Sequence, residues 1–228
     1  KSSLPPPPGP SLVMASGPIG ELPIEGDPFA GSAGNDPQLN PQSGNRQWTQ
    51  TNEAQGLIEC GYPEDQPPDS SRAPQLNTLA GSDPTKDFTK SYKLDNSNWA
   101  VSFQCMKANS GNVTAPQTGY DIGGGYNYLV LYADAHFITL ANFRMDEQNN
   151  PQTYGAVLPG YTTHISNINV DPAMIAAYQQ ADAAGRKSLP AIRMGDVVGQ
   201  PQNGELCVSI RDSDDFMDPR SKLDWWNA

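Results

Sequence analysis

Beyond about residue 92 the chain is cut into short apolar runs that alternate as strands do, each ended by a turn bearing Gly, Asn or Asp. Residues 99–105 alternate as a half-buried strand. Residues 126–134 and 136–143, rich in aromatic and β-branched side chains, read as two strands joined by a short turn. A further strand is expected over 161–170, and three more over 191–193, 196–199 and 205–211, the last two joined by a tight turn at Asn203-Gly204. One helical stretch interrupts the series. Asp171 is placed to cap it, Pro172 suits its first position, and Met174, Ile175, Tyr178 and Ala181 share a face. Gly185 can supply the left-handed end, so a helix is expected at about 171–185, packed on the exterior. Many short strands with a single helical insert define a mainly β domain, a small barrel or sandwich, over residues 92–228.

The front of the chain has a different character. Ten of the 22 prolines precede Gln42, beginning with Leu4-Pro-Pro-Pro-Pro-Gly-Pro10, and apolar periodicity is weak. Residues 1–56 cannot offset their ordering entropy from a core of their own, which predicts a long irregular arm held by another surface. A neighbouring subunit is the expected surface, with Trp48, Leu57 and Ile58 as apolar anchors. Residues 57–91 read as an irregular connecting segment punctuated by Tyr62-Pro63, Pro67-Pro68 and Asp83-Pro84.

A net charge of -11 argues against nucleic acid or an anionic membrane surface as partner, since both are bound by clustered Lys and Arg. No run approaches the roughly 18 apolar residues of a membrane span. The chain opens at Lys1, which suggests a form trimmed after export, and a location outside the cell, at its surface or in a periplasm is expected. Cys60 and Cys105 lie in the same half of the chain and are expected to pair, leaving Cys207 free. Asn112-Val113-Thr114 has the form of a glycosylation acceptor. Asp212, Asp214, Asp215 and Asp218 lack the spacing of a calcium loop and read as a solvated acidic turn. Trp225-Trp226 near the end could cover the domain, stack on a sugar or anchor an interface, and is assigned to the interface set.

The order of motifs in the second half is more specific than any one of them. Gly125-Tyr-Asn-Tyr-Leu-Val-Leu131 is followed by Phe137-Ile-Thr-Leu140, Gly195-Asp-Val-Val-Gly199, Leu206-Cys-Val-Ser-Ile-Arg211 and Asp218-Pro219. Over about residues 123–220 this resembles the closing strands of the lysostaphin-like (LytM-type) zinc endopeptidases. The resemblance implies a barrel or sandwich of the duplicated hybrid type and, in an intact member, a zinc ion with histidine ligands. By the same resemblance the metal-binding histidine of the last strand falls on Cys207 and its catalytic neighbour on Glu205. The Tyr-Ala-His segment falls either on Ala141-Asn-Phe143 or on Thr162-Thr-His164-Ile-Ser166. The first metal pair has no counterpart beyond Gln117-Thr-Gly-Tyr-Asp121, and the chain holds two histidines, His136 and His164.

Catalytic zinc normally takes three protein ligands and a water. Asp121, His164 and Cys207 form a weak alternative set, and the expectation is no metal, no cofactor and no catalytic residue. Alternation puts Leu206, Val208 and Ile210 toward the core and Glu205, Cys207 and Ser209 on the opposite face. The sequence thus suggests a non-catalytic structural subunit of an extracellular or cell-surface assembly, contacting neighbouring subunits. A cell-wall or glycan-binding module ranks second, and a zinc metallopeptidase with an altered site third.

Overall fold

The computed structural model describes residues 19–23, 48–51, 71–84, 86–94, 101, 103–143, 160–212, 215–220 and 222–227. Within these, the chain forms β1 (Gly20–Pro23), β2 (Trp48–Thr51), a 3-10 turn at Leu76–Thr78, β3 (Phe88–Leu94), β4 (Phe103–Lys107), β5 (Val113–Thr114), β6 (Tyr128–Ala133) and β7 (Phe137–Phe143). There follow β8 (Gly160–Ser166), β9 (Ile168–Val170), helix α1 (Pro172–Ala183), β10 (Ser188–Ile192), β11 (Val197–Pro201), β12 (Glu205–Asp212), β13 (Asp215–Met217) and a single turn of helix, α2 (Lys222–Trp225). The fold is mainly β, as the alternation predicts. The single long strand expected over 161–170 is broken at Asn167, whose φ of 59° turns the chain from β8 into β9.

Among the described residues the strand pairings are all antiparallel and build two sheets. The larger runs β1-β10-β6-β7-β8-β12-β4-β3-β2, with β13 beside the end of β12, and the smaller runs β5-β11-β9. The large sheet is open, with β1 and β2 at opposite edges, so of the expected barrel or sandwich it is the sandwich-like arrangement that forms. Its core unites Val130, Ile138, Leu140, Ile165, Leu206, Val208 and Ile210 of the large sheet with Val113, Ile168, Val170 and Val198 of the small one. Burying these apolar faces against one another is the main force holding the layers together.

Helix α1 conforms closely to its sequence signals. Asp171 accepts a hydrogen bond from the Ala173 amide at 2.7 Å, Pro172 opens the helix, and Met174, Tyr178 and Ala181 are buried. Gly185 follows with φ of 79°, the left-handed region that favours glycine.

Two boundaries differ from expectation. Ala73, Leu76, Leu79 and Ala80 are buried in the main core, and β3 begins at Phe88, so part of the segment read as connecting belongs to the β domain. The described pieces of the arm are strands rather than irregular chain. β1 pairs with β10 and β2 with β3, both within the same chain. A Cβ at Gly20 would overlap the Tyr126 ring and oblige it to move aside, and Leu22 packs on the cluster of Leu129, Leu131 and Leu189.

Candidate functional site

The two faces of β12 have opposite chemistry. Leu206, Val208 and Ile210 are fully buried in the core, as their alternation predicts. The other face carries Glu205, Cys207, Ser209 and Arg211. Register sets their neighbours: β4 places Lys107 across from Glu205 and Cys105 across from Cys207, while β8 places Ser166, His164 and Thr162 across from Cys207, Ser209 and Arg211. One strand further on, Phe137 and Thr139 of β7 face Ser166 and His164. A band of polar side chains therefore crosses the sheet on the side away from the main core.

At one end of this band Cys105 and Cys207 are joined in a disulfide, both almost wholly buried beside Phe103 and Tyr92. This corrects the expected Cys60–Cys105 pair and the free Cys207. Cys60 lies outside the described residues, and Cys105 is bonded to its cross-strand neighbour. The reason is topological: β4 and β12 lie far apart in sequence yet adjacent in the sheet, with these residues directly opposed. Two positions along the same face, the Glu205 carboxylate accepts from Thr89 Oγ1 at 2.7 Å and from Lys90 Nζ at 3.1 Å. The hydrogen bond to Glu205 and its charge raise the Lys90 pKa above the ordinary lysine value.

Further along the band, His164 is completely buried, with Nδ1 3.0 Å from Thr139 Oγ1 in a hydrogen bond and its ring stacked on Phe137 at 6.0 Å between centroids. Phe216 tilts against the same imidazole and carries the Arg211 guanidinium 4.8 Å above its own ring. His164 is thus built into the packing of the sheet.

The alternative metal set is not brought together. Cys207 is bonded to sulfur, His164 is bonded to Thr139, and the Asp121 carboxylate accepts from the Gly123 amide at 2.8 Å within its own turn. The zinc implied by the resemblance does not fit these residues, because a half-cystine has no thiolate to offer. Among the described residues, the groups of three or more His, Cys, Asp and Glu whose ligand atoms converge reduce to Cys105, Glu205 and Cys207, within 4.8 Å of one another. Sequence alternation put Glu205 and Cys207 on one face. Nothing local announced Cys105 as their neighbour.

The expected interface residues divide. Trp225 is fully buried in its own core, its indole N–H donating to the Asp218 carbonyl at 3.0 Å and its ring meeting Tyr161 edge-on at 5.4 Å. It is a core residue, which corrects its assignment to an interface. Trp226 is half-buried, donates to the Pro219 carbonyl at 2.9 Å and sets its ring edge-on to Phe88 at 5.6 Å. Gln75 fastens the same end, donating to the Asp224 carbonyl at 2.8 Å and accepting from the Asn227 amide at 2.7 Å. Asp218, expected in a solvated acidic turn, is instead buried in an ion pair with Arg220 at 2.7 Å. The backbone of Trp48 lies in β2 opposite Leu94, and Leu57 and Ile58 fall outside the described residues.

Fold and site together define a mainly β, antiparallel protein with a disulfide across its large sheet. No family model, no curated protein and no solved structure matches the chain.

Proposed function

We propose that this chain is a non-catalytic β module of an extracellular or cell-surface assembly, acting through the surfaces it presents rather than through a reaction. The observation that carries the reading is the Cys105–Cys207 disulfide, which occupies the position where the resemblance to lysostaphin-like enzymes puts a metal-binding histidine. A cross-strand disulfide suits an oxidising location outside the cytosol. Glu205, at the neighbouring position, is already engaged by Thr89 and Lys90. Among the described residues no helix is long and apolar enough to cross a membrane.

The test is direct. Protein purified without reductant should carry no stoichiometric zinc by elemental analysis and should leave peptidoglycan cross-bridges intact. About one zinc per chain, lost in Cys207→Ser, would overturn the reading in favour of an altered metallopeptidase.

A glycan- or cell-wall-binding module is the second reading, and one observation favours it over a structural subunit. The described pieces of the arm pair within their own chain, β1 with β10 and β2 with β3, and Trp225 is buried in its own core, so Trp225 and one side of each of these strands are withdrawn from a neighbour. Sedimentation decides between the two: self-assembly that is lost on deletion of residues 1–45 supports the structural subunit, and a monomer that is retained on cell-wall glycan supports the binding module.

A further inference from the structure

Cys105, Glu205 and Cys207 form a cluster that the oxidised chain leaves chemically silent. The two sulfur atoms come from directly opposed positions of β4 and β12, and the carboxylate stands two residues before Cys207 on the same face. All three ligand atoms lie within 4.8 Å of one another. A tetrahedral zinc ion holds thiolate sulfur at about 2.3 Å and carboxylate oxygen at about 2.1 Å, which sets neighbouring ligand atoms about 3.5–3.8 Å apart. Side-chain rotation of two separated thiols reaches that spacing with the strands left in register.

We propose that reduction of the Cys105–Cys207 disulfide opens a site for a thiophilic divalent cation such as zinc, held by both thiolates and Glu205 with water in the fourth position. A dithiol reductant supplies the two electrons and two protons: the protein S–S bond breaks, two cysteine thiols form, and the reductant closes its own S–S bond. Cation binding then displaces the two thiol protons.

The surroundings suit this role. Thr89 and Lys90 each bond a different oxygen of Glu205, fixing its direction, and each oxygen keeps a lone pair for a metal. Both cysteines are buried, so few waters compete for the cation, while the Glu205 side chain remains 22% exposed and gives the ion an entrance.

Cobalt(II) is the probe, because thiolate coordination gives it an intense near-ultraviolet charge-transfer band. The full-length chain, reduced anaerobically and freed of reductant, should take up one cobalt per chain with this band, and zinc should displace it. The oxidised chain should show none. Cys60→Ser should behave as the parent, Cys105→Ser and Cys207→Ser should each lose the band, and Glu205→Gln should bind about tenfold more weakly or worse. A reduced parent without the band overturns the proposal, as does a band that survives in the Cys105→Ser/Cys207→Ser double variant. Loss of the β circular-dichroism signal on reduction, before metal is added, overturns it equally, since the site depends on the β4–β12 register.

Discussion

Tyr128 shows how a single residue couples this fold to pH. It is fully buried on β6, and burial pushes its phenol pKa far above the ordinary 10.0, with the neighbouring Thr118 acting weakly the other way. Tyr132 shifts in the same direction, through burial first and the Asp134 charge second. A raised folded-state pKa means that the native chain keeps a proton the unfolded chain releases. The associated stability is therefore intact below the ordinary tyrosine pKa and is lost as the pH climbs from there toward the folded value. Denaturant midpoints should fall steadily above about pH 10, and Tyr128→Phe should fall less steeply. Equal slopes for the two proteins would refute the assignment. At this scale the sequence reads unevenly: the burial of Leu206, Val208 and Ile210 follows from period two, whereas Trp225 offered three environments and only packing against Tyr161 and Asp218 chose one.

Among the elements, α1 is the most local, because its cap, its Pro and its closing Gly are all contiguous. Removing the Asp171 carboxylate leaves the Ala173 amide without this partner, so Asp171→Ala should cost about 1 kcal/mol in urea denaturation. No measurable loss would show that the cap is dispensable. The β4–β12 pair is the opposite case. Its disulfide spans a sequence separation of 102 residues, and a loop of that size corresponds to about 4–5 kcal/mol in the chain-entropy model. Peptide mapping without reductant should recover Cys105 linked to Cys207, and the Cys105→Ala/Cys207→Ala variant should lose stability on that order. Recovery of Cys105 linked to Cys60 would contradict the sheet register itself. Sequence proximity suggested Cys60 because it measures distance along the chain, whereas a disulfide depends on distance in space.

Across the whole molecule, the amino-terminal part of the chain reaches both edges of the large sheet, β1 at one side and β2 at the other. Removing residues 1–45 deletes β1 and keeps β2, leaving the β10 edge without a partner on that side. Amide exchange over residues 188–192 should then accelerate, while β7 and β8, buried in the middle of the sheet, remain protected. Unchanged protection at β10 would mean that β1 does not hold that edge.

The sequence by itself determined what depends on neighbours along the chain: the mainly β class, the alternation of β12, the turn at Asn203-Gly204 and the limits of α1 to within a few residues. It also placed Glu205 and Cys207 on one face of one strand. Tertiary structure decided what depends on which strands meet. It opened the sheet rather than closing it, drew part of the connecting segment and two pieces of the arm into the β fold, buried Trp225 and Asp218, and gave Cys207 to Cys105. The physical reason is that backbone hydrogen bonds between strands are the same for every pairing, so register and strand order are selected by the burial of side chains contributed from distant parts of the chain.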